Sequence, residues 1–219
     1  MSGESVAGDE ILDGAYSALC THGYADLTMQ DIADECDKST ALLHYHYDTK
    51  EDLLVAFLDH IIGEYEQKLA TETDDPPEQR LVTFLSRFVY TPDEDRRQSF
   101  HLALLEMRSQ GPFNERIRAE LDRSDQVLRG TAAEVLRNGT EAGVFERVDP
   151  DRTAALLVAA LDGARTRQIT LGDGQPEDTY TRTVVEELLS QVIEPILADG
   201  VELPPLDDVL AELSREETS

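Results

Sequence analysis

Lysine is almost missing from this chain. Lys38, Lys50 and Lys68 stand alone, and arginine supplies the rest of the 19 bases, against 46 acids. Tryptophan is absent and aromatics make up only 6%. The two cysteines, Cys20 and Cys36, are too few for a disulfide framework, and both fall on apolar helix faces, where they read as reduced core thiols. No apolar run approaches the roughly 18 residues of a membrane span. The opening MSGESVAGDE is acidic, unlike the basic and apolar start of a signal peptide, so a cytoplasmic protein is expected. No alternating pattern persists, which excludes a sheet protein. There is no internal repeat. A Gly-rich phosphate loop, Gly-x-Ser-x-Gly and His-Glu-x-x-His are all missing, so the chain is not read as an enzyme and no cofactor is called for.

What is present is helical patterning over a core-forming 40% of hydrophobic residues. Its densest stretch is TMQDIADECDKSTALLHYHYDTKEDLL, residues 28–54. Three short helices can be read there, each opened by a cap. Thr28 precedes Asp31 by three residues, Ser39 opens the second helix, and Thr49 precedes Asp52 in the same way, as in a capping box. Met29, Ile32, Ala33 and Cys36 fall at i, i+3, i+4 and i+7, one apolar face. After the tight turn Cys36-Asp37-Lys38-Ser39, Leu43 and Tyr47 share a face. At about 100° per residue, Ala41, His44 and Tyr45 point away from it. Two helices about four residues apart outline a helix-turn-helix, whose second helix can enter a DNA major groove. Upstream, Ile11, Leu12, Ala15, Tyr16 and Leu19 make a first helix ending near His22-Gly23. His44 and His46 point about 200° apart on a helix, so they are not read as sharing a metal.

From Ile11 to Leu54 the chain resembles the DNA-binding domain of the TetR/AcrR family of transcriptional regulators. The matching residues are Gly23-Tyr24, Thr28, Asp31-Ile32-Ala33, Ser39, Leu43, His46-Tyr47 and Thr49-Lys50-Glu51-x-Leu53-Leu54. The resemblance implies a repressor that binds an operator as a dimer and releases it when a small molecule enters the C-terminal domain. The candidate DNA-contacting residues are Thr28, Lys38, Ser39, Thr40, Ala41, His44, Tyr45, His46 and Lys50. Three departures stand out. Asp37-Lys38 replaces the family's Gly-Val in the turn, a change that Asp tolerates because it visits left-handed backbone. Lys38 takes the place of a small apolar residue and must snorkel or face phosphate. His44 stands where the family commonly has Tyr, so base preference does not transfer.

The charge runs against the usual DNA-binding profile, which is basic. The formal net charge is −27. Residues 1–60 hold 13 acids and two lysines, a net of −11. Between Lys38 and Lys50 the only acid is Asp48. An acid-rich, lysine-poor composition resembles that of cytoplasmic proteins from salt-accumulating halophiles; a mesophilic acidic protein is the competing reading. At about 1 M salt the Debye length shrinks to about 3 Å, which screens repulsion between surface carboxylates. The same salt costs DNA binding roughly 10⁵ in affinity for a tenfold rise, given about six phosphate contacts. Such a protein should read DNA with few ionic contacts.

Beyond Leu54 the expected fold is all-α, roughly nine to ten helices in total. A helix-turn-helix DNA-binding domain over 1–52 precedes a larger effector-binding and dimerisation domain over 53–219. One apolar stripe runs from Leu53 to Leu69, a second from Leu81 to Val89, a third helix from Arg96 to Gln110, and a long helix from Phe113 toward Ala142 with Gly143 as its cap. Asp149-Pro150 starts a helix to Leu171 rich in small residues: Ala154, Ala155, Ala159, Ala160, Gly163 and Ala164. A helix beginning near Pro176 carries Val184 to Leu197 on a broad apolar face, and Pro195 should kink or end it. By resemblance, these last two long helices form a homodimer interface; the bland alternative is that both face their own core. Leu206, Val209, Leu210 and Leu213 suggest a short amphipathic helix. By resemblance again, an effector pocket draws on Tyr65, Phe84, Phe88, Phe100, His101, Leu104 and Met107, each of which core packing also explains. A second reading stays open: a helical ligand-binding or interaction module whose DNA-binding site has degenerated.

Overall fold

The computed structural model describes residues 2–71, 75–90, 95–171 and 180–216, and the regular elements among them are helices. In chain order these are α1 (Ser2–Asp26), α2 (Met29–Glu35), α3 (Thr40–His46), α4 (Lys50–Thr71), α5 (Pro77–Ser86), α6 (Asp95–Arg108), α7 (Glu115–Glu141), α8 (Pro150–Leu171), α9 (Tyr180–Leu188) and α10 (Leu206–Glu216). The all-α expectation holds. The third short helix does not: Thr49 opens α4, which runs 22 residues. Its apolar stripe from Leu53 onward is continuous with its cap, so the 52/53 boundary falls inside one helix. Packing divides the chain elsewhere, into Met1–Gln67 with Glu94–Ser124, and Lys68–Asp93 with Asp125–Ser219.

The first unit is built around Ile11, Leu19, Ile32, Leu43, Leu54, Phe57, Met107 and Ile117, all essentially buried. Gly14 lets α1 approach the end of α2, because a Cβ there would stand 2.7 Å from that of Cys36. Phe100 packs on Tyr16 and Phe57, with ring centroids 4.6 and 5.9 Å away. Burial and these ring contacts give α6 an apolar seat on α1 and α4. Arginines of α7 add ionic ties to α4. Arg116 pairs with Asp52, and Arg123 pairs with Asp59 and, at 2.8 Å, with Glu66.

The second unit buries Leu81, Phe84, Leu85, Phe88, Leu136, Phe145, Leu157, Leu161, Val185, Ile193 and Val209 in one cluster. Gly139 admits the Phe145 ring against α7; a Cβ there would collide with it. Pro195 acts as expected: α9 passes into a π-helical turn, Leu189–Ile193, and stops after a 3-10 turn, Glu194–Ile196. An isolated antiparallel bridge follows, in which Glu146 N–H donates to the Ile196 carbonyl at 2.6 Å and Ala198 N–H to that of Val144 at 2.9 Å. Arg182 ties α9 to α10 through Asp207 at 2.7 Å. The expected amphipathic helix near Leu206 is α10. The expected start of the preceding helix near Pro176 lies outside the described residues.

The dimerisation candidates divide. Ala154, Ala164, Val185, Leu188, Leu189 and Ile193 are buried in their own core, as the bland alternative had it. Ala159 and Gly163 are exposed on α8, in line with Leu156 (53% exposed) and Leu171 (62%). Among the described residues, no helix is long and apolar enough to cross a membrane.

Candidate DNA-binding surface

Local chemistry accounts for each helix start at this surface. Thr28 and Asp31 close a reciprocal capping box: Thr28 N–H donates to Asp31 Oδ2 at 2.8 Å, and Asp31 N–H to Thr28 Oγ1 at 3.2 Å. Ser39 Oγ accepts from Leu42 N–H at 3.2 Å. Thr49 and Asp52 repeat the box, with bonds of 3.0 and 3.1 Å. These bonds favour ionised carboxylates. Thr28 holds Asp31 below its ordinary carboxyl value, and Arg116 followed by Thr49 does the same for Asp52.

Asp37 makes the turn. Its φ is 52°, the one positive φ outside glycine among the described residues. Lys38 N–H donates to the Ala33 carbonyl at 2.9 Å and Asp37 N–H to that of Asp34 at 3.4 Å. That is the six-to-one, five-to-two bonding of a Schellman cap, which requires a left-handed residue where Asp37 sits. The expectation that Asp could replace the usual Gly is met.

On α3, Leu43 is fully buried and anchors the helix. Ala41, His44 and Tyr45 face solvent, as the helical spacing indicates, while Thr40 and His46 are half-buried. Tyr45 is 74% exposed, with its ring edge-on to His46 at a centroid distance of 5.2 Å. A large aromatic left in solvent beside two imidazoles is a surface suited to base edges and phosphate oxygens.

The two lysines are engaged inside the protein. Lys38 Nζ lies 2.6 Å from Glu10 of α1, a pairing that raises the lysine's pKa. It takes the snorkelling option, but toward a carboxylate. Lys50 Nζ donates to the carbonyls of Tyr24 and Leu27 at 3.2 and 2.9 Å and lies 5.0 Å from the Tyr24 ring centroid. Spacing along the chain carried no signal for Glu10, since its partner is 28 residues away. Thr28, Lys38, Ser39, Thr40, Ala41, His44, Tyr45, His46 and Lys50 all belong to the first unit.

The pocket candidates fall in different units. Tyr65, Phe100, His101, Leu104 and Met107 belong to the first, where Phe100 and Met107 are core residues. Phe84 and Phe88 belong to the second. Phe88 carries the Arg165 guanidinium 4.5 Å from its ring centroid.

Comparison with known proteins gives two family matches along the chain. Residues 11–57 match the model of bacterial regulatory proteins, tetR family. Residues 77–198 match that of the C-terminal region of BetI-type transcriptional repressors. A TetR transcription regulator from Haloarcula marismortui is 39% identical, over 88% of this chain and 99% of that one, with a TM-score of 0.77. A putative transcriptional regulator from Saccharomonospora viridis, solved in complex with choline, is 26% identical over 86% of this chain and 97% of its own, with a TM-score of 0.74. The biofilm operon negative regulator IcaR of Staphylococcus epidermidis is 30% identical over 39% of this chain; the chain spans about half of that relative, 47%.

Proposed function

The chain belongs to the TetR family of bacterial regulatory proteins, and on that premise we propose that it is a cytoplasmic transcriptional repressor that binds a palindromic operator as a homodimer and releases it on binding a small molecule. The observation that carries this reading is the capped helix-turn-helix with Tyr45 standing in solvent on its second helix. A recognition helix of this kind docks with one groove, and a palindrome needs two of them, one per subunit. The exposed line of Leu156, Ala159, Gly163 and Leu171 on α8 supports pairing with a second copy. The operator contacts are assigned to Ser39, Thr40, Ala41, His44, Tyr45 and His46, with Thr28 at the edge.

The effector is assigned to the second unit, near Phe84 and Phe88. One turn beyond Arg165 on α8, Gln168 is 9% exposed, and its Oε1 has no hydrogen-bond partner among the described residues. A buried carbonyl without a donor is costly, and a small polar molecule supplies one. The choline bound by the Saccharomonospora regulator supports a ligand of that size. The acidic surface, and the similarity to the Haloarcula protein, support operation at high salt.

Tyr45→Ala and His46→Ala test the reading by fluorescence anisotropy in molar KCl, on DNA flanking the protein's own coding region. Each should cost tenfold or more in specific affinity, about 1–3 kcal/mol per lost base contact, with the thermal melt unchanged. Binding that survives both substitutions refutes the recognition-helix assignment. Absence of specific binding by the unmodified protein at every salt favours the second reading, a helical module with a degenerate site, to which the engaged lysines point.

A further inference from the structure

The corner between α1 and α2 is held from outside by two opposite charges. Gly23, with φ 70° and ψ 178°, breaks the helical path of α1. Just after it, the N–H groups of Tyr24 and Ala25 both donate to Oε2 of Glu106, in the last turn of α6, at 2.7 and 3.3 Å. On the carbonyl side, Lys50 Nζ takes the oxygens of Tyr24 and Leu27. The donors of this corner are thus met by a carboxylate from α6 and its acceptors by an ammonium from the start of α4. Space is tight: a Cβ on residue 23 would stand 3.2 Å from Glu106 Oε2. Leu27, 2% exposed, then leads into the Thr28 cap and α2.

We propose that Glu106 is a positioning residue for DNA recognition. Its carboxylate fixes the direction in which the chain enters α2, and α2 carries the recognition helix through the Asp37 turn. Hydrogen bonds to an ionised acceptor are about twice as strong as neutral ones, so one oxygen can hold two amides. This inference rests on the reading of the chain as an operator-binding protein.

Charge alone predicts the opposite effect of removing Glu106. The first 60 residues already carry a net −11 from 13 acids and two lysines, so deleting an acid from this unit should tighten DNA binding. Asp13→Asn, at an exposed position of α1, is the control for that charge effect and is expected to tighten binding slightly. Glu106→Ala is expected to weaken specific binding about tenfold with an unchanged salt slope, because no phosphate contact is lost. Glu106→Gln keeps an oxygen at the same place and is expected to stay within about threefold. Amide exchange at Tyr24 and Ala25 should quicken in Glu106→Ala while second-unit amides keep their protection. If Glu106→Ala does not fold, Glu106→Asp, one methylene short of the two amides, takes its place with the same expected direction. Binding by the folded variant as tight as the unmodified protein, or tighter, overturns the inference. If the unmodified protein binds no DNA specifically, the functional reading fails first and the inference with it.

Discussion

Asp37 is the residue on which the helix-turn-helix geometry rests. A left-handed conformation costs an ordinary L-residue about 1–2 kcal/mol, less for Asp and nothing for Gly. Asp37→Gly is expected to keep the fold and raise the melting temperature, while Asp37→Val should lower stability by about 1–2 kcal/mol; thermal denaturation distinguishes the two. If Val is tolerated as well as Gly, the turn does not depend on this φ. The lysines illustrate what a sequence conceals. Lys38 and Lys50 sit where DNA contacts are expected, yet one is paired with Glu10 and the other caps the carbonyls of Tyr24 and Leu27. Their partners come from distant segments, so nothing in the local pattern indicates them. The proposed reading surface is then left with hydroxyl, imidazole and phenol groups.

The helix caps are the most legible elements, because Thr28–Asp31, Ser39–Leu42 and Thr49–Asp52 act within three residues. They also carry a pH dependence. Asp31 and Asp52 have folded-state values below the ordinary 3.8. A lowered carboxyl value contributes stability that is present above pH 3.8 and is lost as pH falls through the lower folded-state values. Replacing both with Asn should therefore reduce the melting temperature at pH 7, and the gap from the unmodified protein should narrow as pH falls below 3.8 through the lowered folded-state values. A gap that persists there means that the carboxylates do not act through their charge. Longer elements were legible where periodicity was strong: the α8 span matched its pattern from Pro150 to Leu171, and Pro195 ended the last long helix. The Thr49 cap points to a short helix where the structure has the 22-residue α4, because a cap marks where a helix begins and says nothing of its length. The roles of Glu106 and Arg116 are not legible in the sequence for a related reason. Each acts on a residue more than sixty positions away, and a single sequence carries no record of such distances.

At the scale of the whole molecule, the proposed function rests on dimerisation and on operation at high salt. Gly163 on α8 has open space around it. Gly163→Arg adds bulk there without touching the chain's own core, and replacing a mid-helix Gly favours the helix by up to about 1 kcal/mol. Sedimentation is expected to show a weaker dimer with a monomer no less stable; a dimer of unchanged strength excludes this face. Operator binding should weaken in parallel, because a palindrome is held by two reading heads at once.

Salt tests the central claim, that a nearly uncharged reading surface on an acidic body, with a net of −27, recognises DNA through few ionic contacts. The direct measurement is the anisotropy titration of DNA flanking the coding region against a scrambled duplex, from about 0.5 to about 2 M KCl. Specific binding should persist to the top of that range, with a slope of log affinity on log salt shallower than about −4, the value for some four phosphate contacts. A slope near about −10, or no preference over the scrambled duplex at any concentration, contradicts it.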